Sequence, residues 1–340
     1  MVDQHEKKLK DHVDQIVRKC IANNYHTGPM GYLVMVGGEA LNFHLPEKQR
    51  VQTADFDLKF VVSPKFTDTD SNLRKANVRR LFIANKLFRC LQSVQPPSGY
   101  SKLYPRLTML FNNVVHDVRI DGHRVYVTNP ETGEERFTVY RFNKIFTIKL
   151  NYQLENQKKE HEFTLIDIGL FYRLPEQEPY YNFLSNTIYD TFLKKPFQKR
   201  IPIPYNVGEN IRYPILPYIL VDNFRMMLLA NDFLHVYQDD QERIDFFKLK
   251  LKGYRRKLEM ILREIDQRYA SSKRSRSRQT PSKKEKRQSK FLNQIEENIQ
   301  KTIKMYQPLA RKNAICYREE GRFNFTTVLQ SHLDECDQNY

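Results

Sequence analysis

Three features of this 340-residue sequence predict an α+β fold. Helical periodicity opens the chain and returns in its second half. Alternating or continuous apolar, β-branched runs crowd the stretch 107–173. Gly, Pro, Asn and Asp clusters punctuate the rest. The order of these runs implies a mixed or antiparallel sheet with helices on one side over residues 1–185. A mostly helical domain follows over residues 186–340. Aromatic residues make up 12% of the chain, with 20 Tyr and 22 Phe, enough apolar bulk to fill a core in each domain.

Taken in order, residues 6–23 place Leu9, Val13, Ile16, Val17 and Cys20 at helical spacing. Gly28-Pro29-Met30-Gly31 then breaks the chain. "YLVMV" (32–36) is a short apolar strand. "EALNFHL" (39–45) is a short helix that must stop ahead of Pro46. "ADFDLKFVV" (54–62) is a second strand. Residues 71–94 form a long helix with Ser71 as N-cap and an apolar face of Leu73, Val78, Leu81, Phe82, Leu87, Phe88 and Leu91.

Strands follow at "LTMLFNNVVHDVRI", "HRVYVT", "YRFNKIFTIKLNYQL" and "HEFTLIDIGLFYR". The turn signals "NPETGEE" and "ENQKKE" separate the last three, as in antiparallel hairpins. Beyond about residue 180 the pattern is helical, most clearly over 215–237 and 245–265. Residues 271–290, "SSKRSRSRQTPSKKEKRQSK", hold almost no apolar side chain and read as a disordered insertion. The stretch 291–306 reads as helix again.

Composition narrows the function. A net charge of +16 favours a polyanionic partner. No run approaches the roughly 18 apolar residues of a membrane helix, and the N-terminus lacks the apolar core of a signal peptide. A soluble, intracellular protein is expected. Cys20, Cys90, Cys316 and Cys336 are scattered with no C-x-x-C pair, so reduced structural thiols are expected in place of a zinc site or a disulfide framework. The sequence holds no G-x-x-x-x-G-K-[ST], H-E-x-x-H or G-x-S-x-G motif.

The chemistry concentrates in Tyr32–Phe60. Gly37 and Gly38 sit between a strand and a helix, where backbone N–H groups can cradle phosphates. Asp55 and Asp57 follow, one residue apart in an apolar run, and alternation sends both to the same side of a strand. Two carboxylates so close repel each other unless a cation joins them. An all-oxygen donor set suits Mg²⁺ or Mn²⁺. Asp55-Phe56-Asp57 by itself reads as a solvated strand face paired with basic side chains; the glycines before it carry the signal.

On those residues the chain resembles the DNA polymerase β-like nucleotidyltransferases. In the form Gly37-Gly38-x-Ala40, Leu45, then Asp55-Phe56-Asp57, it is most similar to the poly(A) polymerase catalytic subunits of large nucleocytoplasmic DNA viruses. The strong match covers about thirty residues. The resemblance implies a third carboxylate on a neighbouring strand. Asp167, inside an apolar run, is the favoured candidate, with Asp117 and Asp121 as competitors.

It further implies an enzyme that adds AMP from ATP to RNA 3′ ends without a template. Asp55, Asp57 and Asp167 would bind two Mg²⁺ or Mn²⁺ ions and Gly37 and Gly38 would contact the nucleotide, while Lys149 is weighed as a triphosphate contact against a solvated lysine on a strand face. Tyr213, Tyr218 and Arg225 are weighed as base or ribose contacts against plain core packing. Asn42 and Glu39 are weighed as substrate contacts against capping or packing. Lys273, Arg274, Arg276, Arg278, Lys283, Lys284, Lys286, Arg287 and Lys290 of the basic insertion are read as RNA contacts, a nuclear import signal or a solubilising loop. A homodimer or a processivity subunit are the implied partners. The implied setting is host cytoplasm, virus factory or virion, with the nucleus open. A cGAS-like cyclic nucleotide synthase, another terminal transferase, or an inactive RNA-binding subunit of the same fold stays open.

Overall fold

The computed structural model describes residues 4–66, 70–111, 114–121, 124–129, 132–133, 135–136, 146–171, 203, 205–216, 218–220 and 240–274, with residues 222, 223, 226, 230, 233 and 234 between them. The chain divides into two compact units. One holds the described residues up to 171 and those from 203 to 214, and the other those from 215 to 274.

The first unit opens with α1 (Gln4–Asn23), which buries Leu9, Val13, Val17, Cys20 and Ile21 along one stripe. Then come β1 (Gly31–Met35), α2 (Gly37–His44) and β2 (Phe56–Val62), followed by the long helix α3 (Asp70–Gln92). Six strands complete the main sheet: β3 (Tyr100–Phe111), β4 (Val114–Asp121), β5 (Arg124–Thr128), β6 (Glu135–Arg136), β7 (Phe146–Leu154) and β8 (Glu160–Phe171). Two short strands, β9 (Tyr205–Gly208) and β10 (Ile211–Pro214), form a separate hairpin.

The eight-stranded sheet runs β1-β2-β8-β7-β3-β4-β5-β6. Every pairing is antiparallel except β2 with β8, which is parallel, so the sheet is mixed and the fold α+β. α3 packs across β2, β8, β7 and β3. Its Arg80, fully buried, lies 4.6 Å over the Phe146 ring and bonds the Ile168 carbonyl. α1 rests on α3 and sets Lys10 over Phe56 on the same face. Phe56, Leu58, Phe60, Phe146, Ile148, Leu150, Ile166 and Ile168 fill that face, each with at most 2% of its surface exposed. The alternate residues of β7 and β8 look the other way and are polar: Thr147, Lys149, Glu162 and Asp167.

The sheet departs from expectation in its neighbours. The stretch "NPETGEE" leads into β6, and β5 pairs with β4 and β6, not with β7. β7 inserts between β3 and β8. A turn signal marks where the chain reverses; it does not say which strand is met next. β7 carries four alternating apolar side chains that need the cover of α3, which only a central place in the sheet supplies. The expected strand 107–120 proves to be two antiparallel strands, and its first part starts earlier, at Tyr100.

Other readings also change. Ser71 lies inside α3, which begins at Asp70, so it is not the cap. The hairpin β9–β10 occupies ground read as helical. Its two-residue turn, Glu209-Asn210, has positive φ at both positions (51° and 60°), the type I′ geometry that matches strand twist. Cys20 on α1 and Cys90 on α3 are joined in a disulfide, not reduced. Seventy residues separate them in sequence, and only the packing of the two helices brings them together.

In the second unit the described residues between 216 and 234 are helical, and α4 (Gln241–Arg274) is a 34-residue helix. Its last four residues enter the basic stretch that the sequence assigns to a disordered insertion. The remainder of that stretch and the predicted helix 291–306 lie outside the described residues. Among the described residues, no helix is long and apolar enough to cross a membrane.

Candidate metal centre

The site begins with the end of β1. Val36 leaves the strand in an extended conformation, and its N–H still bonds the Asp57 carbonyl at 2.8 Å. Gly37 then turns the chain into α2 with φ of +67°, a left-handed conformation that L side chains rarely adopt. Space gives a second reason for glycine. A Cβ on Gly37 would overlap the Asp57 carboxylate, and one on Gly38 would overlap the Thr53 methyl. The glycine turn is therefore pressed directly onto the segment that carries the aspartates.

Asp57 is on β2 and stands opposite Asp167 of the parallel neighbour β8. Asp55 lies in the bend just before β2, so backbone curvature, not strand alternation, delivers it. Asp55, Asp57 and Asp167 each offer a carboxylate oxygen, and these oxygens lie within 4.8 Å of one another. All three residues are half-buried. Thr147, the cross-strand neighbour of Asp167 on β7, donates its hydroxyl to Asp167 Oδ1 at 2.7 Å.

Electrostatics make this an unfavourable place for unneutralised charge. Burial pushes the Asp167 carboxyl up to about 6, and the charge of Asp57 adds to it. The Thr147 hydrogen bond and the charge of Lys149 pull the other way without cancelling the effect. A divalent cation would turn that repulsion into shared ligation. The donor set is all oxygen, the choice of Mg²⁺ or Mn²⁺, so the residues present fit such ions.

The competitors for the third position are placed elsewhere. β4 lies three strands from β8, roughly 14 Å at ordinary strand spacing. There Asp117 forms a two-pronged ion pair with Arg106 of β3. Asp121 ends β4, opposite Arg124. Lys149 reaches Glu162 of β8, which also receives Arg106 at 3.1 Å. The polar face is thus a ladder of alternating charges that leads from the three aspartates toward β4.

α2 is held by a second cluster that sequence reasoning missed. Glu39, 6% exposed, takes Lys10 and Arg18 of α1 at 2.5 Å each and accepts the Thr53 hydroxyl. Burial alone would raise the Glu39 carboxyl, yet the hydrogen bonds from Lys10 and Thr53 and the charges of Lys10 and Arg18 hold it below the ordinary range. Nothing in the spacing of Lys10 and Arg18 announces this role, because an amphipathic helix carries such cations on its solvated side as a rule. Asn42 clasps Val51 through both amide atoms, Nδ2 to the carbonyl at 2.8 Å and Oδ1 from the N–H at 2.7 Å. Both residues weighed as substrate contacts are therefore engaged within the protein.

Tyr213 stacks on Phe43 with ring centres 4.2 Å apart and planes at 4°, and its hydroxyl receives Arg18 at 3.3 Å. Tyr218 is buried. Arg225, and Arg276, Arg278, Lys283, Lys284, Lys286, Arg287 and Lys290, lie outside the described residues. Lys273 and Arg274 are the last two residues of α4. No protein-family model, curated protein or solved structure matches the chain.

Proposed function

We propose that the chain is a template-independent RNA nucleotidyltransferase that adds AMP from ATP to RNA 3′ ends. The observation that carries this reading is the meeting of the Asp55, Asp57 and Asp167 carboxylates against the Gly37-Gly38 turn. Asp55, Asp57 and Asp167 are the residues to hold two Mg²⁺ or Mn²⁺ ions. Such ions, when bound, lower the pKa of an attacking 3′-hydroxyl and neutralise a departing pyrophosphate.

The protein's own part is placement. Thr147 holds the Asp167 carboxylate in place through its hydrogen bond to Oδ1. The Gly37-Gly38 turn presents backbone to the phosphates without a side chain to bar their approach. The Glu39–Lys10–Arg18 cluster keeps the start of α2 in register with Thr53 and hence with Asp55. Lys149 brings positive charge beside Asp167, where a triphosphate would need it. The basic residues from Lys273 onward serve RNA retention in this reading.

The test is one assay. The protein is incubated with Mg²⁺ or Mn²⁺, a short oligo(A) or oligo(U) primer and each NTP in turn. Long tails made from ATP alone are expected, and Asp57→Ala should abolish them while the protein stays folded. Asp167→Ala should do the same, and Asp117→Ala should leave addition intact. Absence of incorporation with every primer and nucleotide would overturn the proposal.

A further inference from the structure

Charge is distributed very unevenly along the chain. Residues 241–290 hold 18 Lys and Arg against six Asp and Glu, a net +12 of the protein's +16. Half of that excess, 11 Lys and Arg against five Asp and Glu, stands on the helix α4. Between 248 and 257 six of ten residues are Lys or Arg and none is acidic.

The helical geometry sorts these cations. At 3.6 residues per turn, Lys248, Lys252 and Arg256 form one ridge, and Lys250 and Lys257 form a second centred about 150° further round. Lys248, Lys250, Lys252 and Arg256 are exposed, and Lys257 is half-buried. Phe247 and Ile261, both fully buried, lie across the helix from the first ridge and just beyond the second, with Phe247 stacked on Phe233. Between the basic ridges runs a narrow strip of Phe246, Leu249 and Gly253. Phe246 is 42% exposed and Leu249 67%. A side chain at Gly253 would meet nothing within 4 Å, so the strip is open there.

An ordinary solvated face does not look like this. Exposed helices stabilise themselves with opposite charges at i,i+4, as Asp14 and Arg18 do on α1. Here the i,i+4 neighbours Lys248–Lys252 and Lys252–Arg256 repel each other, a cost that a bound polyanion removes. We infer that α4 is a sequence-blind binding surface for single-stranded nucleic acid, with phosphates on the two basic ridges and bases against Phe246 and Leu249. A strip one side chain wide suits stacked or splayed bases better than a lipid surface, which needs a broad apolar face. The surface stands on its own geometry; only the choice of RNA as the strand rests on the proposed activity.

Binding of a fluorescently labelled oligo(U) strand to full-length protein, measured by anisotropy in EDTA, tests this. The Asp57→Ala variant serves as background, so the readout is independent of nucleotide addition and of metal. The triple variant Lys248→Gln, Lys252→Gln, Arg256→Gln should bind at least tenfold more weakly at moderate salt. Its plot of log affinity against log salt should be shallower by about 2, from roughly 0.7 per lost phosphate contact. Leu249→Ala should weaken single-strand binding and leave duplex binding unchanged. Equal affinity and equal salt slope in a triple variant with an unaltered melting temperature would overturn the inference. So would loss of binding only toward phosphatidylserine vesicles, which would mark a membrane surface instead.

Discussion

Asp167 is the residue whose surroundings make least sense without a cation. Its folded-state carboxyl titrates near 6, above the unfolded value of 3.8. The folded protein therefore takes up this proton first as pH falls, and stability from this group is lost, not gained, as pH rises from about 3.8 to 6. At neutral pH the buried charge costs on the order of 3 kcal/mol when no metal is bound. Asp167→Asn should thus raise the melting temperature in EDTA. Adding Mn²⁺ should stabilise the native protein and do little for the variant. Calorimetric titration should also find native Mn²⁺ affinity falling as pH drops below 6, because the ion must displace a proton. A variant less stable than the parent in EDTA would refute this account of the site.

The turn between β1 and α2 is the element on which the site depends, and Gly37 is where it is most exacting. Gly37→Ala meets both an unfavourable φ and the Asp57 carboxylate, whereas Gly133, with φ of +68°, has open space around it. Gly133→Ala should cost about 1 kcal/mol from conformation alone. Gly37→Ala should cost clearly more by chemical denaturation and should also impair Mn²⁺ binding. The strand–Gly-Gly–helix order and the Asp55-Phe56-Asp57 segment were legible because apolar runs, turn residues and Pro46 bound them so closely. Asp167 stood out because a lone acid in "TLIDIGL" has no cheap place to go. Thr147, Lys10 and Arg18 were not legible, since their partners come from other elements, and no local pattern distinguishes a hydroxyl or cation that turns inward. The hairpin at 205–214 was missed because its apolar residues are few and its turn lacks the Asn-Gly signature.

On the scale of the whole molecule, the Cys20–Cys90 disulfide closes a loop around β1, the glycine turn, β2 and both of the first two aspartates. In the chain-entropy account a closed loop of this length is worth about 4 kcal/mol against the unfolded state. Reductant should lower the unfolding midpoint of the native protein and leave that of Cys20→Ser, Cys90→Ser unmoved. An identical midpoint with and without reductant in the native chain would show that the bond does not form in solution. The charge excess on α4 belongs to the same scale: it gives the second unit an electrostatic character that the first, with its paired ladder from Lys149 to Asp117, does not share.

The one parallel pairing among the described strands has a consequence for how this protein can change over time. Asp57 and Asp167 are 110 positions apart, yet they face each other because β2 and β8 are locked side by side in one register. Side chains alternate from face to face, so the site obeys a parity rule. Loops between the two strands can grow or shrink without harm. Unless a bulge takes it up, as one does in β8 opposite Ile148 and Lys149, a single residue gained or lost inside either strand sends one aspartate into the core beneath and an apolar side chain into its place. Lineages of this sequence should therefore record their insertions and deletions everywhere except in those two short segments.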